Sequence, residues 1–236
     1  MKHKLVRQVR FCINPFLPET PTGANSFCAK PCGEGLAVYL SLWIELAGAV
    51  DPETGFLINV ALIDKPVRRT VIPLFEDTIR TRYRAGRHIP MPELSGLLGK
   101  SADLLRDEFD GLELRSLRLE LTPTRHISIE MEDLDVIYLS EKFEFAAMHR
   151  LWNEKFSREE NFRVFGKCAN EKGHGHNYVI EVTVRMPAER QELSIGQFEQ
   201  VVEDEFLSQV DHRNLNEDVA HFRDANPTVE NIAGYA

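Results

Sequence analysis

No run in this chain approaches the ~20 consecutive apolar residues that a helical membrane span needs, although 43% of its residues are hydrophobic. The sequence therefore reads as a soluble chain, and 236 residues suffice for one large domain or two ordinary ones. An excess of basic charge is also missing. Asp and Glu (37) outnumber Lys and Arg (28), for a net charge of -9. That balance argues against a general nucleic-acid partner, because phosphate backbones attract basic faces. A small phosphorylated ligand stays open, since a few local cations are enough to hold it. The basic N-terminus, MKHKLVRQVRF, lacks the apolar core of a signal peptide. Cysteine is scarce: Cys12, Cys28, Cys32 and Cys168 show no CxxC spacing and fit reduced thiols better than a disulfide framework. A cytoplasmic protein with neither membrane nor nucleic acid as partner is the expectation.

What is present reads most easily in the second half. EKFEFAAMH alternates, with Phe143, Phe145, Ala147 and His149 sharing one parity, so a strand is expected with His149 at the end of its buried face. LWNEKFSREENFRVFGKCANEK is long, charged and poorly periodic, which predicts a functional loop. HGHNYVIEVTV predicts a second strand, with Tyr178, Ile180, Val182 and Val184 on one face. SIGQFEQVVEDEFLSQV places Ile195, Phe198, Val201, Val202 and Phe206 at helical spacing. DHRNLNED leaves that helix as a polar loop, and NPTVENIAGYA opens another helix.

The first half can be laid over the second. KPCGEGLAVYLSL falls on NEKGHGHNYVIEV with Gly33 on Gly173 and Gly35 on Gly175, an offset of 140 residues. MPELSGLLGKSADLLRDEF then occupies the place of NPTVENIAGYA and is followed by two alternating strands in LRSLRLELTPTRHISIEM. The first half reads strand, strand, helix, helix, strand, strand, whereas the second shows only the first four. The preferred parse is an α+β internal repeat, residues 1-135 and 136-236, the second copy cut short.

The chemistry-bearing residues gather in the second copy. His174 and His176 are two apart, so both side chains point to one face of their strand, the face of Tyr178 and Ile180. Imidazoles at the mouth of an apolar face need partners, and a metal is a good one. His149 can join them if the two strands pair. Three histidines suit zinc and leave a fourth position for water or substrate. Cys168 admits two roles, a fourth ligand closing a structural site or a thiolate base beside an open one, with Lys167 adjacent. Asp211 and His212 form a neighbouring pair of the kind that general acid-base catalysis uses.

In order and spacing, FEFAAMHRL, FGKCANEKGHGHNYVIEVTV, VDHRNLN and NPTVENIA resemble the 6-pyruvoyl-tetrahydropterin synthase and 6-carboxy-tetrahydropterin synthase family. The resemblance implies the tunnelling fold, in which units of two strands, two helices and two strands assemble side by side into a barrel. It implies His149, His174 and His176 as zinc ligands, and Cys168 as the proton-abstracting thiolate. Asp211 and His212 become its proton relay, often contributed from a neighbouring unit. Thr228 and Glu230 would lie where the family approaches the pterin ring. The implied substrate is 7,8-dihydroneopterin triphosphate, with a homo-oligomer whose barrel closes between chains.

Two departures from the family pattern stand out. The family's further glutamate, which anchors the pterin on the strand after the last helix, has no counterpart before Ala236, so a truncated sequence is expected. The first copy has lost the chemistry: Glu34 and Leu36 fall where His174 and His176 lie, Leu121 takes the glutamate's place, and Cys28 and Cys32 read as small buried thiols. Five residues between Cys168 and His174 favour the pyruvoyl branch. The alternatives are a 6-carboxy-tetrahydropterin synthase and a non-catalytic, zinc-containing tandem that binds a pterin or a partner.

Overall fold

In LVRQVRFCI every second residue turns inward, so Val9, Phe11 and Ile13 are almost fully buried along strand β1 (His3–Ile13). The structure, a computed structural model, describes residues 2-16, 36-188 and 194-236. Strand β2 (Val38–Gly48) runs antiparallel to β1 in a register that sets Phe11 opposite Leu40 and Val9 opposite Leu42. Helix α1 (Val60–Pro66) continues through a π-helical turn, Val67–Val71, into α2 (Ile72–Arg84). Pro66 has no N–H to offer the preceding turn, and a wider turn directly after it accommodates that defect. Helix α3 (Met91–Leu105) buries Leu97, Leu98, Ala102 and Leu105 along one stripe. Strands β3 (Glu113–Glu120) and β4 (Arg125–Glu130) follow, and the antiparallel order is β1-β2-β3-β4. Phe75 of α2 meets Phe11 of β1 edge to face, with ring centroids 5.8 Å apart.

Strands β5 (Asp133–His149) and β6 (His174–Pro187) each contribute to two compact units. The first comprises Met1–Glu141 and Thr183–Gln191, the second Lys142–Val182 and Glu192–Ala236. In the first unit, β4 pairs with the start of β5, and Arg125 grips Glu141 opposite it by two hydrogen bonds of 2.9 and 2.8 Å. Both side chains are largely buried, where an unpaired charge would be costly.

In the second unit, Phe145, Ala147 and His149 keep the parity expected of them and are all buried. Helix α4 (Arg158–Phe165) leads into a 3-10 turn, Gly166–Ala169, and then to β6. Helix α5 (Ile195–Val202), a π-helical turn Glu203–Leu207 and α6 (Ser208–Val210) form the next helical stretch. The short β7 (Arg213–Asn214) lies parallel to β5, with Ala147 opposite Arg213. Helix α7 (Leu215–Asp218), a 3-10 turn Ala220–Arg223 and α8 (Val229–Tyr235) close the chain. Phe145, Phe206, Val210, Leu215, Phe222 and Ile232 share one core. Phe145 stacks on Tyr178 at 4.9 Å and meets Phe206 edge to face at 5.5 Å. Burial of each such ring contributes about 1.5–3 kcal/mol. An antiparallel sheet with helices is the α+β architecture expected.

Two stretches differ from the reading of their sequence. The charged loop expected over 151-172 contains α4. Ser157 Oγ accepts from the Glu160 N–H at 3.1 Å, and the Glu160 carboxylate accepts from the Ser157 N–H at 3.0 Å. This reciprocal cap starts a helix that apolar periodicity does not announce. The polar loop expected after Val210 includes β7 and α7, the latter capped by Asn214. Leu36 is 96% exposed, while Cys28, Cys32 and Glu34 lie outside the described residues.

Candidate metal centre

His149 is the last residue of β5 and His174 the first of β6, and the connection between them must return to within contact distance of its start. Gly173 makes that return possible. Its φ is +63°, and a Cβ there would stand 2.6 Å from the His149 carbonyl oxygen. Only glycine meets both conditions without strain. The Leu151 N–H donates to the Cys168 carbonyl at 2.8 Å, which holds the 3-10 turn against the exit of β5.

The three imidazoles meet as expected. Ring centroids are 5.1 Å apart for His149 and His174, 4.8 Å for His149 and His176, and 4.4 Å for His174 and His176. Cys168 Sγ lies 3.6 Å from His174 Nε2. One ligand atom from each of His149, Cys168, His174 and His176 falls within 4.8 Å of the others, a single group among the described residues. His149 is 6% exposed and gives its Nδ1–H to the Pro227 carbonyl at 2.9 Å. That bond leaves Nε2 as a buried lone pair with no protein partner, and His174 Nδ1 is buried and unpartnered too. Burial pushes the His149 pKa below the usual imidazole value, and the neighbouring His176 and His174 push it further the same way, against the Pro227 bond. A neutral histidine with one nitrogen hydrogen-bonded to backbone and the other free is the form that binds a metal. The donor set fits a divalent metal that accepts nitrogen and sulfur.

The remaining expected residues stand elsewhere. Asp211 Oδ1 accepts from the Ala146 N–H at 2.8 Å, and Oδ2 lies 2.8 Å from His212 Nδ1. The Ala146 amide first, then His212, hold the Asp211 carboxyl below its ordinary value. His212 sits in the left-handed region at φ 55°, with its side chain 82% exposed. Among the described residues of one chain, this pair makes no hydrogen bond to the histidine cluster. Thr228 caps α8 by accepting from the Asn231 N–H at 3.3 Å, and Glu230 is exposed in the first turn. A polar cavity of about 580 Å³ opens at the exit of β5, lined by Arg150, Trp152, Asn214 and Asn226 among others. His149 is the one member of the cluster that lines it.

Four asparagines hold the site and escaped the sequence reading. Asn161 is fully buried; it accepts from the Asn153 N–H at 2.8 Å, and its two amide hydrogens are shared among the carbonyls of Asn153, Phe156 and Ser157. Asn216 accepts from the Arg150 N–H at 2.7 Å and donates to the Arg150 carbonyl at 3.0 Å. Asn226 accepts from the Trp152 N–H at 2.9 Å, and Asn214 caps α7. Asn161, Asn216 and Asn226 pin the chain just past His149. Asparagine in a polar segment reads as turn chemistry, and nothing in the pattern separates a surface turn from a buried latch.

Residues 138–236 match the family model described as 6-pyruvoyl tetrahydropterin synthase. The chain is 41% identical over 108 residues to 6-pyruvoyl tetrahydrobiopterin synthase of Drosophila melanogaster, covering 44% of this chain and 64% of that protein. It is 40% identical over 100 residues to the Homo sapiens protein of the same name, covering 41% of this chain and 69% of that protein. A solved structure of Caenorhabditis elegans 6-pyruvoyl tetrahydropterin synthase is 39% identical over 42% of this chain and 73% of that chain, with a TM-score of 0.39. The chain thus spans about two thirds of the length of these curated relatives.

Proposed function

We propose that this chain, which belongs to the 6-pyruvoyl tetrahydropterin synthase family, is a zinc-dependent lyase that eliminates triphosphate from 7,8-dihydroneopterin triphosphate. The observation that carries the reading is the convergence of His149, His174 and His176, with Cys168 beside them. His149, His174 and His176 would hold zinc. Bound there, zinc supplies Lewis acidity toward the oxygens of the pterin side chain. Cys168 is the base that takes a carbon-bound proton, placed 3.6 Å from His174 by the 3-10 turn that follows α4. Asp211 orients His212, which exchanges a proton with the substrate oxygens. Because that pair faces solvent within one chain, we assign it to the cluster of a neighbouring chain, in a homo-oligomer whose barrel closes between copies. Thr228 and Glu230, on the turn that also carries Pro227, would approach the pterin ring.

The first unit reads as a degenerate copy of the second. Its element order, β1, β2, helices, β3, β4, is that of a complete tunnelling-fold unit. The residue in the place of His176 is the exposed Leu36.

The test is product analysis with 7,8-dihydroneopterin triphosphate and the full chain. Release of triphosphate with a 6-pyruvoyl product is expected. A 6-carboxy product would move the chain to the sister activity, and metal binding without any product would make it a non-catalytic tandem. Cys168→Ala is expected to abolish turnover while keeping about one metal per chain. Loss of metal together with activity would instead make Cys168 a ligand.

A further inference from the structure

His149 offers Nε2 to the cluster only if its proton stays on Nδ1, and two groups compete to decide that. The Pro227 carbonyl, 2.9 Å from Nδ1, can only accept, so it demands a proton there. The Tyr178 hydroxyl, 3.3 Å from the same nitrogen, can donate to it. Were Tyr178 alone to pair with Nδ1, the proton would be free to shift to Nε2 and remove the ligand lone pair. Water is a poor substitute for the carbonyl, because His149 is 6% exposed and Pro227 is buried.

What keeps the Pro227 carbonyl in place is the residue before it. Asn226 Oδ1 accepts from the Trp152 N–H at 2.9 Å, three residues past His149. The Asn226 carbonyl accepts from the Thr228 N–H at 2.8 Å and from Asn231 Nδ2 at 2.7 Å. The turn that presents Pro227 is therefore tied to the exit of β5 on one side and to the first turn of α8 on the other. Proline contributes no N–H of its own, so nothing else in the Pro227 peptide can secure it.

We infer that Asn226 is a positioning residue for the metal centre: by bonding the Trp152 amide it holds the Pro227 carbonyl on His149 Nδ1 and so keeps Nε2 available as a ligand. The inference rests on the reading of the cluster as a metal site, and its test separates the two. Zinc affinity of the full chain is measured by chelator competition, and the unfolding midpoint of each metal-free variant is measured alongside. Only the acceptor of the Asn226 side chain is used, so Asn226→Asp should bind zinc about as well as the parent. Asn226→Ala should bind about 10–100-fold more weakly, the usual effect of losing an outer partner of a ligating histidine. Adding Tyr178→Phe to Asn226→Ala removes the competing donor and should recover part of that loss, which a merely structural role would not do. Nitrogen chemical shifts of His149 in the metal-free parent should show Nδ1 protonated and Nε2 bare, a measurement that stands even if Asn226→Ala does not fold. Undiminished affinity in Asn226→Ala, equal loss in Asn226→Asp, or an Nε2-protonated His149 would each overturn the inference. A parent chain that takes up no zinc would instead overturn the metal-site reading itself.

Discussion

Gly173→Ala is the sharpest perturbation of the site, because it adds one carbon and leaves every ligand in place. The left-handed backbone at φ +63° costs an L-residue about 1–2 kcal/mol. The new Cβ also stands 2.6 Å from the His149 carbonyl oxygen and 3.1 Å from its carbon. Those atoms belong to the backbone at the end of β5 and cannot swing aside as a side-chain tip would. Overpacking of this kind adds about 1–3 kcal/mol, so the total is about 2–5 kcal/mol. With a urea dependence of about 2 kcal/mol per molar, the unfolding midpoint should fall by about 1–2.5 M. Relief of the clash must push His174 away from His149, so metal affinity should fall with stability. Gly175→Ala, two residues on, is the internal control. No atom lies within 4 Å of its Cβ and its φ is not positive. That change should leave metal binding intact and stabilise the strand by about 0.5–1 kcal/mol. A Gly173→Ala protein with the parent's midpoint and metal affinity would refute the argument that close approach to His149 demands glycine.

Asn161→Ala should destabilise by about 1–3 kcal/mol in chemical denaturation, because the Asn153 N–H and the Phe156 carbonyl lose this buried side chain as partner, whereas the Asn153 and Ser157 carbonyls keep the Phe156 and Asn161 N–H groups; a change within 0.5 kcal/mol would mean the latch is dispensable. Zinc at a hundredfold excess over its dissociation constant should raise unfolding stability by about 2.7 kcal/mol, and His176→Ala should remove that increment, while an unchanged increment would exclude His176 as a ligand. The depressed carboxyl of Asp211 binds its proton less readily folded than unfolded. Its contribution is therefore complete above the ordinary Asp pKa of about 3.9 and is lost as pH falls through the lower folded value. The stability gap between the parent and Asp211→Asn should accordingly shrink below about pH 4, and a gap independent of pH would contradict the assignment.

The strand carrying His149, the parity of His174 and His176, and the helices at 195-210 and 229-235 were all legible in the sequence. Period-two and helical repetition of apolar residues follow directly from which side chains must leave water, and that information is local. Helix α4 was not legible, since its start depends on a reciprocal hydrogen bond between Ser157 and Glu160 rather than on burial. The asparagine latches were not legible for a related reason. Asn161, Asn216 and Asn226 each bond backbone groups that only the folded path brings near them.

The same division runs through the metal centre. By itself, the sequence determined that His174 and His176 share a face and that His149 ends a buried one, because pleat geometry depends on residue spacing alone. Only the tertiary structure decided that these faces converge, that Gly173 is the residue that lets them, and that Pro227 leaves His149 Nε2 bare. It also decided that Asp211 and the largely exposed His212 bond the Ala146 amide and each other, with no hydrogen bond to the cluster of their own chain among the described residues. Distances between segments far apart in the chain come from the closing of the core, and no local pattern encodes them.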